Sequence, residues 1–390
     1  MSHRPVALLT YSTKPRGGVV HTLELAEALS ALGVPVRVVA LGDPGARFFR
    51  PVGVPVTLVP GPVGAETLEQ KVAGGIDCLE VALTELVRQT PDVVLHAQDC
   101  MSARAAARVR DAGAAVPVVR TVHHVDDFSS AMLVDCQRQA SLEPDVVLAG
   151  TEVWQRLLRA DYGVESGVVP NGVDVERFAR ASTERAADLR RSVGAQDRPL
   201  VLAVGGIEPR KGTDNLVRAL AQLRASTGLR PVLAVVGGHS FQDYSAYRDR
   251  VLAELPSLRL ELGRDVVQVG TVPEQDMASW YAAADLLAFP SVKEGFGLAV
   301  LEAMSAGTPV VTSDLPVFRE YLVGGRYALL VPLGDVAGLS AAMAAVLQDA
   351  QVRATLVDGG AAVARRFTWQ ASARVHLAVY AALQRSPQTV

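Results

Sequence analysis

The sequence predicts an α/β protein built on two parallel sheets. Short β-branched runs alternate with amphipathic stretches of helical period, and this pattern restarts past the middle of the chain. The runs are mostly continuous rather than alternating in hydrophobicity, which is typical of strands that are buried on both faces. A repeated order of strand, helix and strand is characteristic of parallel sheets covered by helices.

The first half of the chain contains five such runs and clear helical patterns between them. The predicted strands lie at 5–11, 34–41, 92–96, 117–122 and 145–150. Apolar residues recur at helical spacing at 21–32 and 106–113, which predicts helices there.

The second half begins with the segment 199–226, which repeats the opening order of strand, glycine-containing loop and helix. Further strands are predicted at 231–238, 266–272, 285–291, 308–313 and 328–332. Turn residues in PNGVD (170–174) and a charged stretch after it indicate a boundary. We therefore predict a first domain at 1–174 and a second at 175–367, with a final helix at 368–384 in the terminal segment 368–390.

Composition limits the class of protein and its partners. The chain has 390 residues, 49% of them hydrophobic and 20% charged, which predicts a globular protein with a large core. A net charge of -3 gives no reason to expect nucleic acid or an anionic membrane as the main partner. Three widely spaced cysteines indicate free thiols, and no apolar run is long enough for a signal peptide or a membrane span. We expect a soluble, cytoplasmic protein.

The stretch SVKEGFGLAVLEAMSAGTPVV (291–311) places two carboxylates, Glu294 and Glu302, in an otherwise apolar segment. Gly295 and Gly297 follow a predicted strand, so a helix is expected to start near Gly297 and to offer free N–H groups that suit phosphate. Glu302 should lie about one turn inside that helix and be largely buried. The structural alternative is that Glu294 caps the helix and that Glu302 pairs with a core Arg or Lys.

The segment EPRKG (208–212) follows another predicted strand, at the edge where ligands of open α/β sheets bind. Arg210 offers a planar fork and Lys211 a compact charge, a combination that suits a diphosphate. Gly206 precedes them at the glycine-rich strand end. A solvated surface pair is the alternative interpretation.

Two further loops follow strands of the first half. Gly17 and Gly18 in PRGGVV would let the backbone approach a ligand, although the motif is neither a Walker A sequence nor GxGxxG, and an ordinary turn is the alternative. His123, His124, Asp126 and Asp127 suit hydroxyl recognition better than metal, because no other His or Cys lies at a matching spacing.

These stretches, in this order, resemble the family-4 retaining nucleotide-sugar glycosyltransferases, which have the GT-B fold. Glu294 and Glu302 match that family's E-x7-E motif within the context PSxxEGFGLxxLEAMxxGTPVV. The resemblance extends from the GGV loop through PNGVD and EPRKG to the final helix. It implies two Rossmann-like domains that face each other across a cleft, with the final helix crossing back to the first domain.

The resemblance also implies roles for the donor-side residues. Arg210 and Lys211 would hold the donor diphosphate together with the turn formed by Gly295, Phe296, Gly297 and Leu298. Glu294 would bind hydroxyls of the transferred sugar, and Glu302 would bind those of the ribose. Gly206 would also contact the donor, and backbone near Val272 would contact its base.

On the first domain, the resemblance implies that His123 contacts the sugar near its anomeric carbon. Gly17 and Gly18 would face the phosphate or the acceptor. His124, Asp126 and Asp127 have no assigned family role, and we predict that they contact the acceptor.

The function implied is transfer of a sugar from a UDP-, GDP- or ADP-type donor to a hydroxyl-bearing acceptor, with retention and without a metal or other cofactor. Peripheral membrane contact is expected if the acceptor is a lipid. Rival interpretations are an epimerase of GT-B fold, a phosphorylase-like enzyme, and a nucleotide-sugar binding protein without turnover. The motifs leave the sugar, the base and the acceptor open.

Overall fold

The computed structural model describes residues 3–43, 45–238 and 242–383. The chain divides into two compact units. Unit 1 holds the described residues up to Asn171 together with those from Trp369 onward, and unit 2 spans Gly172–Thr368.

The described part of unit 1 forms a seven-stranded parallel sheet in the order β3-β2-β1-β4-β5-β6-β7. Its strands are β1 (Val6–Thr10), β2 (Val36–Leu41), β3 (Val56–Val59), β4 (Val94–Ala97), β5 (Val118–Val122), β6 (Val146–Ala149) and β7 (Ser166–Val168). Its helices before the boundary are α1 (Gly17–Ala31), α2 (Leu68–Gln89), α3 (Cys100–Asp111), α4 (Ala131–Leu142) and α5 (Glu152–Tyr162). The strand order reverses beside β1, which is paired with β2 on one side and with β4 on the other.

The described part of unit 2 forms a six-stranded parallel sheet in the order β10-β9-β8-β11-β12-β13. Its strands are β8 (Leu200–Val204), β9 (Val232–Val236), β10 (Val266–Gly270), β11 (Leu286–Phe289), β12 (Val310–Ser313) and β13 (Leu329–Val331). Its helices are α6 (Val175–Ala179), α7 (Thr183–Ser192), α8 (Thr213–Thr227), α9 (Ser245–Glu254), α10 (Glu274–Ala283), α11 (Leu298–Ser305), α12 (Pro316–Arg319), α13 (Val336–Gln348) and α14 (Ala350–Ala364).

The last helix, α15 (Trp369–Ala382), belongs to unit 1 and packs against α1. The indole of Trp369 lies 5.2 Å from the imidazole of His21, measured between ring centroids. The expectation that the terminal helix returns to the first domain is therefore confirmed. Its predicted end at Gln384 lies outside the described residues.

Both predicted sheets are present, and the predicted α/β class with two Rossmann-like units is confirmed. The predicted helix at 106–113 is the second half of a longer one, because the side chain of Asp99 accepts a hydrogen bond from the Ser102 N–H and caps α3. Units 1 and 2 meet in sequence at Asn171 and Gly172, three residues before the predicted boundary.

The three cysteines are free thiols. Within the described ranges, no helix combines the length and the apolar character that crossing a bilayer requires.

Candidate active site

The EPRKG segment forms a tight turn at the carboxyl end of β8. Pro209–Lys211 make one turn of 3-10 helix, and α8 starts directly after Gly212. Gly212 has a φ of 63°, and a Cβ at this position would lie 2.2 Å from the carbonyl oxygen of Pro290. The Val292 N–H donates to the Arg210 carbonyl at 2.8 Å. This turn is therefore held directly against the segment that follows β11.

The EGFG turn leads from that segment into α11, which begins at Leu298 as the sequence predicts. Gly297 precedes it with a φ of 91°, and a Cβ there would lie 2.5 Å from a ring carbon of Phe318. Gly297 is the N-cap residue of α11 and has no side chain that could cap its first turn. Backbone N–H groups at the start of such a helix suit an anion.

Phe296 packs into the base of the turn. Its ring stacks on Tyr321 with 5.1 Å between centroids, and its carbonyl accepts a hydrogen bond from the Tyr321 hydroxyl at 2.7 Å. Phe296 is 5% exposed. Its side chain anchors the turn, and its place in donor binding stays a prediction.

Glu294 links the two loops through charge. Its Oε1 atom accepts from Lys211 Nζ at 2.7 Å and from Arg210 Nη1 at 3.0 Å. Arg210 Nη2 also lies 3.2 Å from Oε1 of Glu208. Glu294 and Glu208 are each only 8% exposed. Glu294 therefore pairs with two cations of the EPRKG segment, and the N-cap residue of α11 is Gly297.

The ionisation of this cluster follows from burial and opposite charge. Burial raises the pKa of Glu294, but the charges of Lys211 and Arg210 outweigh it and lower the pKa to about 2. Burial lowers the pKa of Lys211, and the Glu294 carboxylate opposes that shift. The Lys211 ammonium also lies 4.3 Å from the centroid of the Phe289 ring. The carboxylate therefore favours the charged form of this largely buried lysine.

Glu302 lies on α11 and is half-buried, which is more exposed than its apolar neighbours predict. Its Oε2 atom accepts a hydrogen bond from the Tyr281 hydroxyl at 2.6 Å. Burial raises the pKa of Tyr281 well above its ordinary value, and the charge of Glu302 adds to the shift. Tyr281 therefore stays protonated as a donor that orients this carboxylate. Sequence reasoning missed Tyr281, because it lies on α10 with no local motif.

Glycines stand at the neighbouring strand ends, where the chain segments pack closely. A Cβ on Gly206 would lie 3.8 Å from the Gly238 carbonyl oxygen, and a Cβ on Gly238 would lie 2.7 Å from Oγ1 of Thr271. Val272 follows Thr271, two residues after the end of β10, and is half-buried. The predicted donor residues Gly206 and Val272 thus both lie at the carboxyl edge of the unit 2 sheet, as do the loops that carry Arg210 and Glu294.

In unit 1, His123 directly follows β5 and lies beside the start of α1. Its Nε2 atom is 3.1 Å from Oε1 of Gln98, and a Cβ on Gly18 would lie 3.4 Å from its Cδ2 atom. Burial lowers the pKa of His123 to about 3, with His124 and Arg120 acting in the same direction. His123 is therefore neutral at physiological pH. A Cβ on Gly17 would have no neighbouring atom within 4 Å, so this residue borders open space.

The remaining predicted acceptor residues share one loop after β5. His124 Nε2 lies 3.2 Å from Oδ1 of Asp126. The Asp126 N–H donates to Oε1 of Gln137 at 2.7 Å, which fixes the loop to α4. Asp127 is exposed. Among the described residues, no group of three or more His, Cys, Asp or Glu side chains is arranged to hold a metal ion.

Two family models match the chain, one for each half. Residues 15–177 match Glycosyltransferase Family 4, and residues 198–349 match Glycosyl transferases group 1. A D-inositol 3-phosphate glycosyltransferase from Kribbella flavida is 31% identical over 97% of this chain and 95% of its own length. An enzyme of the same description from Xylanimonas cellulosilytica is 33% identical over 98% of both chains. The chain belongs to glycosyltransferase family 4.

Solved structures show the same architecture for this glycosyltransferase. Sucrose-phosphate synthase from Thermosynechococcus elongatus superposes with a TM-score of 0.82 at 23% identity, covering 98% of this chain and 99% of that one. Anabaena HepE, solved in complex with UDP-glucose, gives a TM-score of 0.79 at 21% identity, covering 98% and 100%. The fold of this glycosyltransferase is GT-B.

The matched regions of the glycosyltransferase contain the residues described above. The group 1 match covers Arg210, Lys211, Glu294 and Glu302, and it also covers Tyr281. Glu208 is another residue without a role in the sequence prediction, although it stands inside the EPRKG segment. Gln98 was also missed, and the signal for it is its position one residue after β4.

Proposed function

We propose that this glycosyltransferase retains configuration, needs no metal, and moves a sugar from a nucleoside diphosphate donor of UDP type to a hydroxyl of a phosphorylated polyol. The observation that carries the donor half of this proposal is the shared ion pair of Lys211 and Arg210 with Glu294, near the start of α11, whose N-cap residue is Gly297. Two fixed cations and a helix N-terminus match the charge of a diphosphate.

The donor diphosphate would be held by groups that need little rearrangement. Arg210 and Lys211 are already positioned by Glu294, so they would stabilise charge on the departing phosphate without first being ordered. Oε1 of Glu294 accepts hydrogen bonds from these cations, and the carboxylate would also accept hydrogen bonds from hydroxyl groups of the sugar. Glu302, oriented by Tyr281, would accept those of the ribose.

Retention would follow from attack on the face from which the phosphate leaves. The acceptor oxygen forms the new bond to the anomeric carbon while the bond from that carbon to the phosphate oxygen breaks. The acceptor proton passes to the departing phosphate oxygen, so charge and atoms balance without a metal or another cofactor. His123 is neutral and would contact the sugar near the reacting carbon.

The nature of donor and acceptor is supported by the comparisons. A structural neighbour was solved with UDP-glucose, and relatives at 31% and 33% identity are described as D-inositol 3-phosphate glycosyltransferases. We infer that the acceptor is a compact polyol phosphate and that His124, Asp126 and Asp127 of unit 1 bind it. The free cysteines of this chain support a reducing compartment such as the cytoplasm.

The direct test is a transfer assay with UDP-, GDP- and ADP-hexoses and D-inositol 3-phosphate, with products analysed by mass spectrometry and the anomeric configuration by NMR. We expect one product with a UDP-hexose, unchanged in rate by EDTA. Glu294→Gln and Lys211→Ala should lose at least about 100-fold in rate, given that a buried charge pair is broken. Glu254→Gln is the matched control, because Glu254 pairs with Arg218 elsewhere on unit 2.

Parental rates in both site variants would contradict the site assignment, and inversion or a loss of activity with EDTA would contradict the mechanism. The epimerase alternative requires a rearranged donor in the absence of acceptor. The binding-protein alternative requires donor binding without transfer to any acceptor. The relatives described above are all named for transfer, so they lend neither alternative support.

A further inference from the structure

Three arginines occupy the same position ahead of three neighbouring strands in unit 2. Arg198, Arg230 and Arg264 each stand two residues before the first residue of β8, β9 and β10. These strands are parallel and adjacent in the sheet. The three side chains therefore start from the amino edge of the sheet, opposite the carboxyl edge that carries Arg210 and Glu294.

At this amino edge there is an open pocket of about 550 Å³. We call it the arginine pocket, and its cationic lining residues are Arg198, Arg224, Arg230, Arg259 and Arg264. Glu261 and Asp265 are the acidic residues in the lining. Five guanidinium groups against two carboxylates leave an excess of three positive charges in a chain whose net charge is -3.

The two carboxylates form ion pairs with three of the arginines. Asp265 Oδ1 lies 2.7 Å from Arg198 Nη2 and 2.7 Å from Arg224 Nη1. Glu261 Oε2 lies 3.2 Å from Arg264 Nη1. These pairs have a structural role, because Arg198 also donates to backbone carbonyls of the loops before β9 and β10.

Arg230 and Arg259 have no carboxylate partner in the described structure. Arg230 donates to backbone carbonyls at the end of α8, the nearest being those of Arg224 and Leu229 at 3.2 Å. The guanidinium of Arg259 takes part in no hydrogen bond or ion pair among the described residues. Arg198 and Arg224 thus have a structural role, whereas the Arg259 side chain is exposed and open to a ligand.

The backbone of Arg259 forms the turn that ends the helical segment after α9. Among the described residues, it is the one non-glycine residue with a positive φ, at 57°. Asn or Gly would be accommodated more easily in this conformation. The Arg259 N–H donates to the Pro256 carbonyl at 3.0 Å and the Leu260 N–H donates to the Leu255 carbonyl at 2.9 Å, the hydrogen-bond pattern of a Schellman cap, which accounts for the positive φ. The cap leaves the Arg259 side chain exposed at the pocket.

We propose that the arginine pocket binds a free small molecule that carries two or more phosphate groups. Guanidinium forks bind phosphate oxygens in pairs, and several converging arginines select for more than one phosphate. The strands between the two edges have five residues each, so the pocket lies roughly 16 Å from the donor edge at about 3.3 Å per residue. One diphosphate cannot span that distance, and the pocket is therefore a separate site from the proposed donor site.

The probe for the test is inorganic tripolyphosphate, and the readout is hydrogen exchange measured by mass spectrometry on the full chain. We expect tripolyphosphate to protect residues 228–231 and 256–265. Arg259→Asn removes the charge yet suits the positive φ, and it should weaken the binding constant read from this protection at least threefold. Adding Arg230→Gln should weaken it at least tenfold. Lys211→Ala should leave this protection unchanged, whatever it does at the donor site.

The matched control is Arg326→Asn. Arg326 is exposed and precedes β13, at the other side of the sheet and about 20 Å from β9 at the usual strand spacing. This variant should bind like the parent. A thermal unfolding scan of each variant checks that it folds. The single variant Arg259→Asn leaves the hydrogen bonds from Arg230 to backbone carbonyls intact.

Equal protection by tripolyphosphate in the parent and in the double variant (Arg259→Asn, Arg230→Gln) would overturn the proposal. The absence of protection in the parent would also overturn it. A lipid headgroup is the other source of clustered phosphate. Co-sedimentation with phosphatidylglycerol vesicles, but no protection by tripolyphosphate, would also overturn it. Protection by tripolyphosphate without co-sedimentation supports it.

Discussion

The ammonium of Lys211 lies 2.7 Å from Oε1 of Glu294, although the two residues are 83 positions apart in the chain. The sequence prediction gave Lys211 to the diphosphate and Glu294 to the sugar, and it treated them as separate contacts. The structure makes them one charged unit, since Arg210 donates to the same oxygen at 3.0 Å. Changes at Glu294 should therefore affect both the folding of unit 2 and the binding of phosphate.

Replacing Glu294 by Gln should destabilise the protein. The variant leaves Lys211 and Arg210 facing a neutral amide in a buried place, and breaking a buried charge pair costs about 3 kcal/mol. Urea denaturation at pH 7 measures this. Glu254→Gln, which breaks a more exposed pair with Arg218, should cost about 1 kcal/mol or less.

The same variant should change the response to acid. The pKa of Glu294 is about 2 in the folded protein against an ordinary value of 4.5, so the unfolded chain binds the proton more tightly. The stability from this carboxylate is present above pH 4.5 and is lost as the pH falls towards 2. Glu294→Gln should therefore lose less stability than the parent between pH 4.5 and pH 2. An equal loss in both proteins would show that the carboxylate is not held in its charged form.

Gly212→Ala should disrupt the EPRKG turn. A methyl group there would lie 2.2 Å from the Pro290 carbonyl and would occupy a φ of 63°, so the loops that carry Arg210 and Glu294 must separate. We expect a KM for the donor at least about tenfold higher and a loss of about 3 kcal/mol or more in stability. Gly325→Ala is the control, because φ is 76° there and a Cβ meets nothing within 4 Å. It should cost about 1 kcal/mol with an unchanged KM.

The repeat of buried strands made the class of fold and the number of sheets predictable from sequence. Continuous apolar runs such as 200–204 and 286–289 are central strands here, with neighbours on both sides. The helix α2 (Leu68–Gln89) was not predicted. It contains Gly74 and Gly75, which are weak helix formers, and a Cβ on Gly75 would lie 2.2 Å from Cε of Met101. Close packing on α3 overrides local propensity there.

The candidate site was predictable where its residues share a short motif. Arg210 with Lys211 and the EGFG turn each follow one strand, so sequence alone places each of them at a sheet edge. Contacts between motifs were not predictable. Tyr281 reaches Glu302 from another helix, and Phe296 turns inward onto Tyr321. No spacing along the chain reports either contact.

Tyr281→Phe should raise the KM for the donor more than it lowers kcat. The change removes the hydroxyl that donates to Glu302 at 2.6 Å, and Glu302 is the proposed ribose ligand. A lost hydrogen bond to a charged group is worth about 1.5–3 kcal/mol, so KM should rise by roughly 10-fold or more. Steady-state kinetics with the donor varied measures both constants. A fall in kcat at constant KM would place Tyr281 in the chemical step and contradict its role in positioning Glu302.

Acid should also weaken the docking of α15 in unit 1. Burial lowers the pKa of His376 to about 4, and it lowers those of His21 and His96 well below the ordinary value of 6.5. These histidines stabilise the folded state above pH 6.5, and that stability is lost as the pH falls towards 4. His376 alone should account for about 2 kcal/mol between pH 7.5 and pH 5.

The measurement is urea denaturation at both pH values, followed by the fluorescence of the tryptophans, which include the buried Trp369 of α15. His376→Phe keeps a ring in this aromatic cluster and removes one titrating group. Its stability should depend less on pH than that of the parent. A variant as sensitive as the parent would show that His376 is not responsible.

We infer that Arg210 and Lys211, held by Glu294, bind the donor diphosphate. Calorimetric titration with UDP compares the parent with Lys211→Ala and Glu254→Gln. We expect a Kd at least about tenfold higher for Lys211→Ala, since a charge-assisted contact to phosphate is lost, and an unchanged Kd for Glu254→Gln. Equal UDP affinity in all three folded proteins would show that these cations do not hold the diphosphate.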